Sequence, residues 1–340
     1  MKKLVFSWLC ILSASVIHAQ QAPHYTQYIL NQYILNPALS GIENYTDVKI
    51  SHRHQWVGLQ DAPVTTYLTI HAPLGKKDDR TTATSYEMPG ENPRGKSYWQ
   101  DYRAAQPHHG IGLKIINDKT GPLNRFGGYL SYAYHVGISA QTSLAAGFEA
   151  GMRNISLDRS KLDFGSGNPL YPAVYNSGEI NRIKPDMGAG LYLYSADFFA
   201  GISAQQILSQ KIYFSDLTVR TTDSRLVPHL FFTTGYRFFL SDDFTALPSV
   251  MVKYVKPLPV QFDLNFKVQY LDRLWTAASY RLKDGFAGML GLNVSNTFNI
   301  GYAYDYSTLR LKTISKGTHE IVLGFLIGNK YGDWCPKNVW

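Results

Sequence analysis

Between Gln261 and Tyr270 the chain alternates without a break. Phe262, Leu264, Phe266, Val268 and Tyr270 fall on one side, and Gln261, Asp263, Asn265, Lys267 and Gln269 on the other. A repeat of 180° per residue is a β-strand with one apolar and one wet face. Phe298 to Tyr306 repeats it, with Phe298, Ile300, Tyr302, Tyr304 and Tyr306 against Asn299, Gly301, Ala303 and Asp305. Leu144 to Arg153 does so again. A length of about ten residues suits a tilted strand that crosses a bilayer. A soluble sandwich also alternates, but it buries its large apolar face and shows polar residues to water. Here the polar face is small and glycine-rich while the apolar face carries aromatics. That is the pattern of a barrel with lipid outside and a crowded polar lumen.

Composition agrees. The chain has 340 residues with 24 Tyr and 28 Gly, and only 17% are charged. It is too apolar and aromatic for disorder. No run of about eighteen apolar residues exists, so membrane helices are excluded while membrane strands are not. The mean hydropathy of −0.19 is what two opposed faces average to.

The first residues read as an address. Lys2 and Lys3 precede an apolar stretch from Leu4 to Ile17, then His18-Ala19. This layout predicts a secretory signal peptide over residues 1–19, cleaved near Ala19. A membrane anchor is the rival, and about fourteen apolar residues fall short of a span. Cleavage removes Lys2, Lys3 and Cys10, which lowers the formal charge of +8 and leaves Cys335 as a lone thiol without an internal partner.

The remaining chain divides into an N-terminal segment (20–46), a barrel (47–327) and a tail (328–340). The expected architecture is all-β: a closed antiparallel transmembrane β-barrel of about fourteen strands, an even number as such barrels prefer. The first strand is expected over Asp47–Val57, the eighth over Leu226–Phe239 and the last over Thr318–Ile327. With the mature N-terminus in the periplasm, the long connections Ser156–Pro185, Ile207–Arg225 and Ser307–Gly317 fall outside and the short ones inside, the outer-membrane rule. One connection disobeys, the insertion over residues 74–109. It reads either as a disordered insertion or as a periplasmic docking segment or lumen plug. In the segment before the barrel, Tyr25, Tyr28, Ile29, Gln32 and Tyr33 have helical spacing, stopped at Asn36-Pro37. They predict a short helix leaning on the barrel mouth or lumen.

On the first strand Ser51, Arg53 and Gln55 share a face, and His54 and Trp56 take the other. Glu320 and Asp305 occupy inward positions on the last two strands. Closure sets the first strand beside the last, so Arg53 and Glu320 are expected to pair. Arg53, Gln55, Asp305 and Glu320 form the candidate lumen polar network, and a lumen charge needs a partner. Trp56 reads as an interfacial residue of an aromatic belt, as do many of the tyrosines. Phe164, Tyr171, Tyr175, Tyr213 and Phe214 stud the long outer connections and suit a protein-binding surface. In the periplasmic tail, Trp334, Cys335 and Trp340 are candidates for packing against the barrel or a partner. His52 and His54 share a face, but no further ligand follows at metal spacing, so no metal or cofactor is expected. Enzyme signatures are absent. The positive charge is spread along the chain and forms no nucleic-acid patch. Lipopolysaccharide phosphates and acidic partner domains suit it better.

The ordered set Gln27-Tyr28, Asn36-Pro37-Ala38, Gly41, Arg53, Gln55-Trp56, Tyr304-Asp305-Tyr306, Gly317-Thr318-His319-Glu320-Ile321 and the closing Cys335-Pro336 resembles the PorP/SprF family of the Bacteroidota type IX secretion and gliding machinery. Thr318 stands where Ser is commoner. The resemblance implies an outer-membrane barrel. It works with other type IX components, either linked to the periplasmic ring or binding a secreted cargo, such as the C-terminal domain of an adhesin. The competing expectation is a passive outer-membrane channel resembling the long-chain fatty-acid transporters, which also carry an N-terminal plug.

Overall fold

The computed structural model describes residues 25–76, 104, 106–161, 180–210, 226–241, 243–271, 273–295, 297–308 and 315–329. The expected signal peptide, the aromatic residues of the long connections (Phe164, Tyr171, Tyr175, Tyr213, Phe214) and the tail residues Trp334, Cys335 and Trp340 lie outside these. So does most of the 74–109 insertion.

The sheet closes on itself. Its strands are β1 (Thr46–His54), β2 (Val64–Leu74), β3 (His108–Thr120), β4 (Leu123–Gly137), β5 (Ser143–Leu157), β6 (Ile180–Tyr194) and β7 (Phe198–Gln205). There follow β8 (His229–Tyr236), β9 (Phe244–Val255), β10 (Gln261–Tyr270), β11 (Leu274–Arg281), β12 (Gly285–Asn293), β13 (Phe298–Ser307) and β14 (Thr318–Ile327). Phe238–Phe239 continues β8 beyond Arg237, a nearly inaccessible residue whose N–H is taken by Asp197 O at 2.6 Å. The expected single strand is interrupted there. Every strand pairs antiparallel with its neighbours, and β14 closes on β1 in the register Arg53↔Glu320. Closure leaves no unpaired edge, which a bilayer requires.

Alternation decides which way each side chain points. On β10, Phe262, Leu264 and Phe266 are exposed, while Asp263, Asn265, Lys267 and Gln269 are buried. On β13, Ile300, Tyr302, Tyr304 and Tyr306 face out, and Asn299, Ala303 and Asp305 face in. The exposed apolar belt continues through Leu130, Phe148, Leu191, Phe232, Phe286 and Phe325. In water such a belt would be an aggregation surface; in lipid it is the solvated face. The tyrosines divide. Tyr236, Tyr270 and Tyr302 sit in the belt, whereas Tyr28, Tyr33, Tyr67, Tyr129, Tyr192 and Tyr194 are buried inside, so interface anchoring accounts for only part of their number.

In an up-and-down barrel, connections after odd-numbered strands share one end. That end carries the long segments between β5 and β6, β7 and β8, and β13 and β14; we refer to it as the long-loop end. The tight turns between β4 and β5, β6 and β7, β10 and β11, and β12 and β13 mark the opposite, short-turn end. Leu74 and His108, which bracket the insertion, also lie at the short-turn end.

The lumen is filled. Residues Thr26–Leu30, Gln32–Ile34 and Pro37–Leu39 form three successive 3-10 turns, all buried. The expected short helical segment takes the form of 3-10 turns rather than one continuous helix. Asn31, at φ −142°, breaks it after the first turn. An amphipathic helix would also leave one face without a partner, whereas here the wall surrounds the segment on all sides. Its carbonyls turn outward instead: Gln205 Nε2 donates to Ile34 O at 2.8 Å and Ser203 Oγ to Leu35 O at 2.7 Å. Backbone groups that the 3-10 turns leave unpaired are hidden by bonding them to the wall. Two apolar clusters form around it. Tyr33, Ala38, Leu39 and Ile42 pack on Tyr192, Tyr194, Phe199 and Leu247. Tyr25, Tyr28, Ile29 and Ile34 pack with Tyr67, Met251, Trp275 and Met289.

Candidate functional site

The plug runs the length of the lumen. Its first residues meet the long-loop end, and Gly41 meets Ala72, Pro73 and Gly110 at the short-turn end. Two clamps hold it.

The first clamp is built on the seam. Arg53 Nη1 lies 2.9 Å from Glu320 Oε2, and Arg53 Nη2 lies 2.6 Å from Asp305 Oδ2. Thr26 sits between them. Its N–H donates to Glu320 Oε2 at 2.8 Å, and its hydroxyl donates to Asp305 Oδ2 at 2.6 Å while accepting from Arg53 Nη1 at 2.6 Å. Gln27 adds a bond from its N–H to Glu320 Oε1 at 3.3 Å and one from Nε2 to Glu320 O at 2.8 Å. Glu320 thus binds plug backbone, and Arg53 and Asp305 bind the Thr26 hydroxyl, while the three also bind one another. Glu320 is 1% exposed. A carboxylate that dry needs both a cation and N–H donors, and the plug supplies the donors. Gln55 is placed differently from its expectation. β1 ends at His54, Gln55 N–H turns to Pro63 O at 2.9 Å, and the residue lines a cleft beside Arg53 and Arg281 rather than a strand face. Trp56 also leaves the outward face: at φ +50° it turns the chain and joins the same cleft. A left-handed φ on a bulky residue is strained, and it redirects this aromatic from the lipid belt to the mouth of the lumen.

The second clamp lies at the short-turn end. His135 Nε2 donates to Ser40 O at 2.8 Å, His108 Nε2 reaches Gly41 O at 3.2 Å, and Gly41 N–H donates to His71 Nδ1 at 3.3 Å. His108 and His135 stack with centroids 4.5 Å apart. Only the register of β2, β3 and β4 brings these three imidazoles together; nothing in their spacing along the chain announces it. His52, by contrast, faces out and bonds Thr66 Oγ1 at 2.9 Å. Among the described residues no group of His, Cys, Asp or Glu is arranged to hold a metal.

Between the clamps the wall is hollowed to receive the plug. A Cβ on Gly190 would lie 2.1 Å from Asn36 Oδ1, and one on Gly147 would lie 2.6 Å from Ala38 Cα. Asn36 occupies the space they leave. Its Oδ1 caps Ala38 N–H at 3.0 Å, and its Nδ2 donates to Leu191 O at 3.0 Å. The Asn-Pro-Ala run is therefore a fitted turn: Asn caps, Pro sets the first residue of the 3-10 turn, and Ala38, which is fully buried, meets bare glycine backbone. Beside the plug stand further buried ion pairs, Lys114–Glu149 at 2.6 Å and Arg153–Asp186 at 2.9 Å. These lumen charges are compensated, and no described arrangement of them resembles a nucleophile with its base.

The chain is similar in shape to several solved structures. The Acinetobacter baumannii outer membrane protein Omp33 aligns at TM-score 0.45 and 6% identity, over 85% of this chain and 100% of its own. The CymD monoaromatic hydrocarbon channel aligns at TM-score 0.45 and 10% identity, over 90% of this chain and 94% of its own. A Pseudomonas aeruginosa FadL homologue aligns at TM-score 0.44 and 10% identity, over the same shares. No curated protein matches the chain. The family model for the type IX secretion system membrane protein PorP/SprF matches residues 17–325. This span includes the Asn-Pro-Ala turn, Arg53, Asp305 and Glu320, and the chain is an outer-membrane β-barrel belonging to the PorP/SprF family.

Proposed function

We propose that this barrel is a plugged binding component of type IX secretion, which holds or presents a secreted, adhesin-type cell-surface protein at its long-loop end. The observation that carries the reading is the plug. Residues 25–42 cross the lumen, are buried throughout and are tied to the wall at both ends by the bonds given above. A solute path would need that segment to leave, with every clamp bond broken. The surfaces left for function are the mouth, the long connections and the short-turn end. The long connections, with Phe164, Tyr171, Tyr175, Tyr213 and Phe214, are then the partner-binding elements, outside the cell by the rule that long loops are extracellular. In this reading the insertion between Leu74 and His108, with the tail that carries Trp334, Cys335 and Trp340, meets periplasmic components. The outward belt meets lipid and lipopolysaccharide. The protein has no catalytic role in this reading.

Co-purification from detergent extract tests it. Deleting Ser166 to Ile180 should abolish recovery of the bound surface protein while leaving the barrel folded. Unchanged recovery would remove these loops from the account. The channel alternative is tested by conductance in planar bilayers. It predicts a steady open pore from the intact chain, where the plugged reading predicts none.

A further inference from the structure

Above the first clamp, at the long-loop end, the wall opens into a cleft of about 90 Å³. Arg53, Gln55, Trp56, Arg281, Asp284 and Asp305 line it, with Lys316 on the rim. That volume admits a head group rather than a whole ligand, since one water takes up about 10–15 Å³ of such space. The charges around it do not balance. Two guanidinium groups, Arg53 and Arg281, serve four carboxylates. Arg53 takes Glu320 and one oxygen of Asp305. Arg281 Nη1 lies 2.8 Å from Asp284 and 3.9 Å from Asp305, and its Nε is 3.4 Å from Asp263. Lys253 adds a positive charge on the deep side, toward Asp263. Among the described residues the acids on the cleft side remain one cation short, and Lys316 is exposed in the solvent. A second observation points the same way. Asp305 is only 8% exposed, yet its Oδ1 is buried with no hydrogen-bond partner. A buried carboxylate oxygen without a donor is costly, and the cleft beside it is where a donor would enter.

We propose that this cleft is the seat for one basic side chain, the ammonium or guanidinium head of a Lys or Arg presented by the protein held at the long-loop end. The assignment rests on the binding role proposed above for its source, but the cleft's chemistry stands on its own. A cationic head placed between Asp284 and Asp305 donates charge-assisted bonds to both and supplies the missing charge. Trp56 on the wall offers an aromatic face to the same cation. Gln55 adds a neutral acceptor. A carboxylate ligand would instead meet Asp284 and Asp305 directly and be repelled.

The test uses the purified full chain in detergent, without cargo. N-acetyl-lysine methylamide and N-acetyl-arginine methylamide are titrated by calorimetry and by the fluorescence of Trp56, with N-acetyl-glutamine methylamide and acetate as controls. At least one basic probe should bind saturably and neither control should. Asp284→Asn, which lies outside the plug clamp, should weaken that binding by about tenfold or more, the loss expected for one charge-assisted contact. Lys316→Ala removes a competing charge and should leave binding equal or tighter. Absence of saturable binding, equal binding of a control, or indifference to Asp284→Asn overturns the proposal. If the intact barrel is silent but an Arg310→Ala/Lys312→Ala chain binds, the protein's own loop fills the seat and the assignment to a partner is overturned. Absence of any surface protein co-purifying with the intact chain, with probe binding intact, would instead count against the secretion role alone.

Discussion

Arg53 and Glu320 stand opposite each other in register across the seam between the first and last strands, 2.9 Å apart, with the N–H of Thr26 bonded to the same carboxylate oxygen. The bond that closes the barrel is thus also the bond that holds the plug.

A charge-swap experiment on this pair should therefore fail in a particular way. Arg53→Glu or Glu320→Arg leaves a buried charge uncompensated, at a cost of about 3–5 kcal/mol. The double reversal restores the pair but not the acceptors for Thr26 and Gln27 N–H, and it leaves Asp305 facing a carboxylate. We expect it to recover less than half of the loss in denaturant melts. Full recovery would show that the pair acts independently of the plug.

Glycine substitutions in the wall should open the lumen where the plug turn fits. Gly190→Ala places a methyl 2.1 Å from Asn36 Oδ1, and such overpacking costs about 1–3 kcal/mol. Gly288→Ala meets nothing within 4 Å and serves as the control. Bilayer recordings should show intermittent conductance for the first and silence for the second. Silence for both would mean that the turn shifts without leaving.

Asn36→Ala removes the cap on Ala38 N–H and the bonds to the β6 and β7 carbonyls. A lost cap costs about 1 kcal/mol, and the stranded wall carbonyl about as much again. The plug should become sensitive to protease in folded barrels, read as cleavage near Asn36 that the intact protein resists.

Alkaline pH should loosen the plug through its phenols. Burial pushes Tyr28 and Tyr33 above the ordinary value of 10.0. Their folded-state pKa is raised, so the folded form holds these protons more tightly than the unfolded form. The stability linked to them is complete below pH 10 and falls as pH rises above it. Tyrosinate absorbance should show a late group of phenols that ionises only as the barrel unfolds. Tyr28→Phe/Tyr33→Phe should flatten the fall in stability. Early, complete titration in the folded barrel would contradict the burial.

The alternation of β10 and β13 was legible residue by residue because lipid and lumen demand opposite side chains at successive positions. The seam pair was legible too, since closure sets β1 beside β14 and parity turns Arg53 and Glu320 inward. Gln55 and Trp56 were not. The strand stops at His54 because Trp56 turns left-handed, and local composition does not mark that turn. The helical spacing of Tyr25 to Tyr33 marked a helical segment but not its division into 3-10 turns, because helical periodicity describes one buried face and this segment is buried on all of them.

The sequence by itself determined the barrel, its strand number and which residues face lipid, because those follow from a period of two and from the need to satisfy every backbone group in a bilayer. Only the tertiary structure decided the course of the plug, the three-histidine clamp, the glycine hollow under Asn36 and the cleft between Asp284 and Asp305. Each depends on which inward positions of non-adjacent strands meet across the lumen. Closure and register set those meetings, and a linear pattern of faces does not contain them.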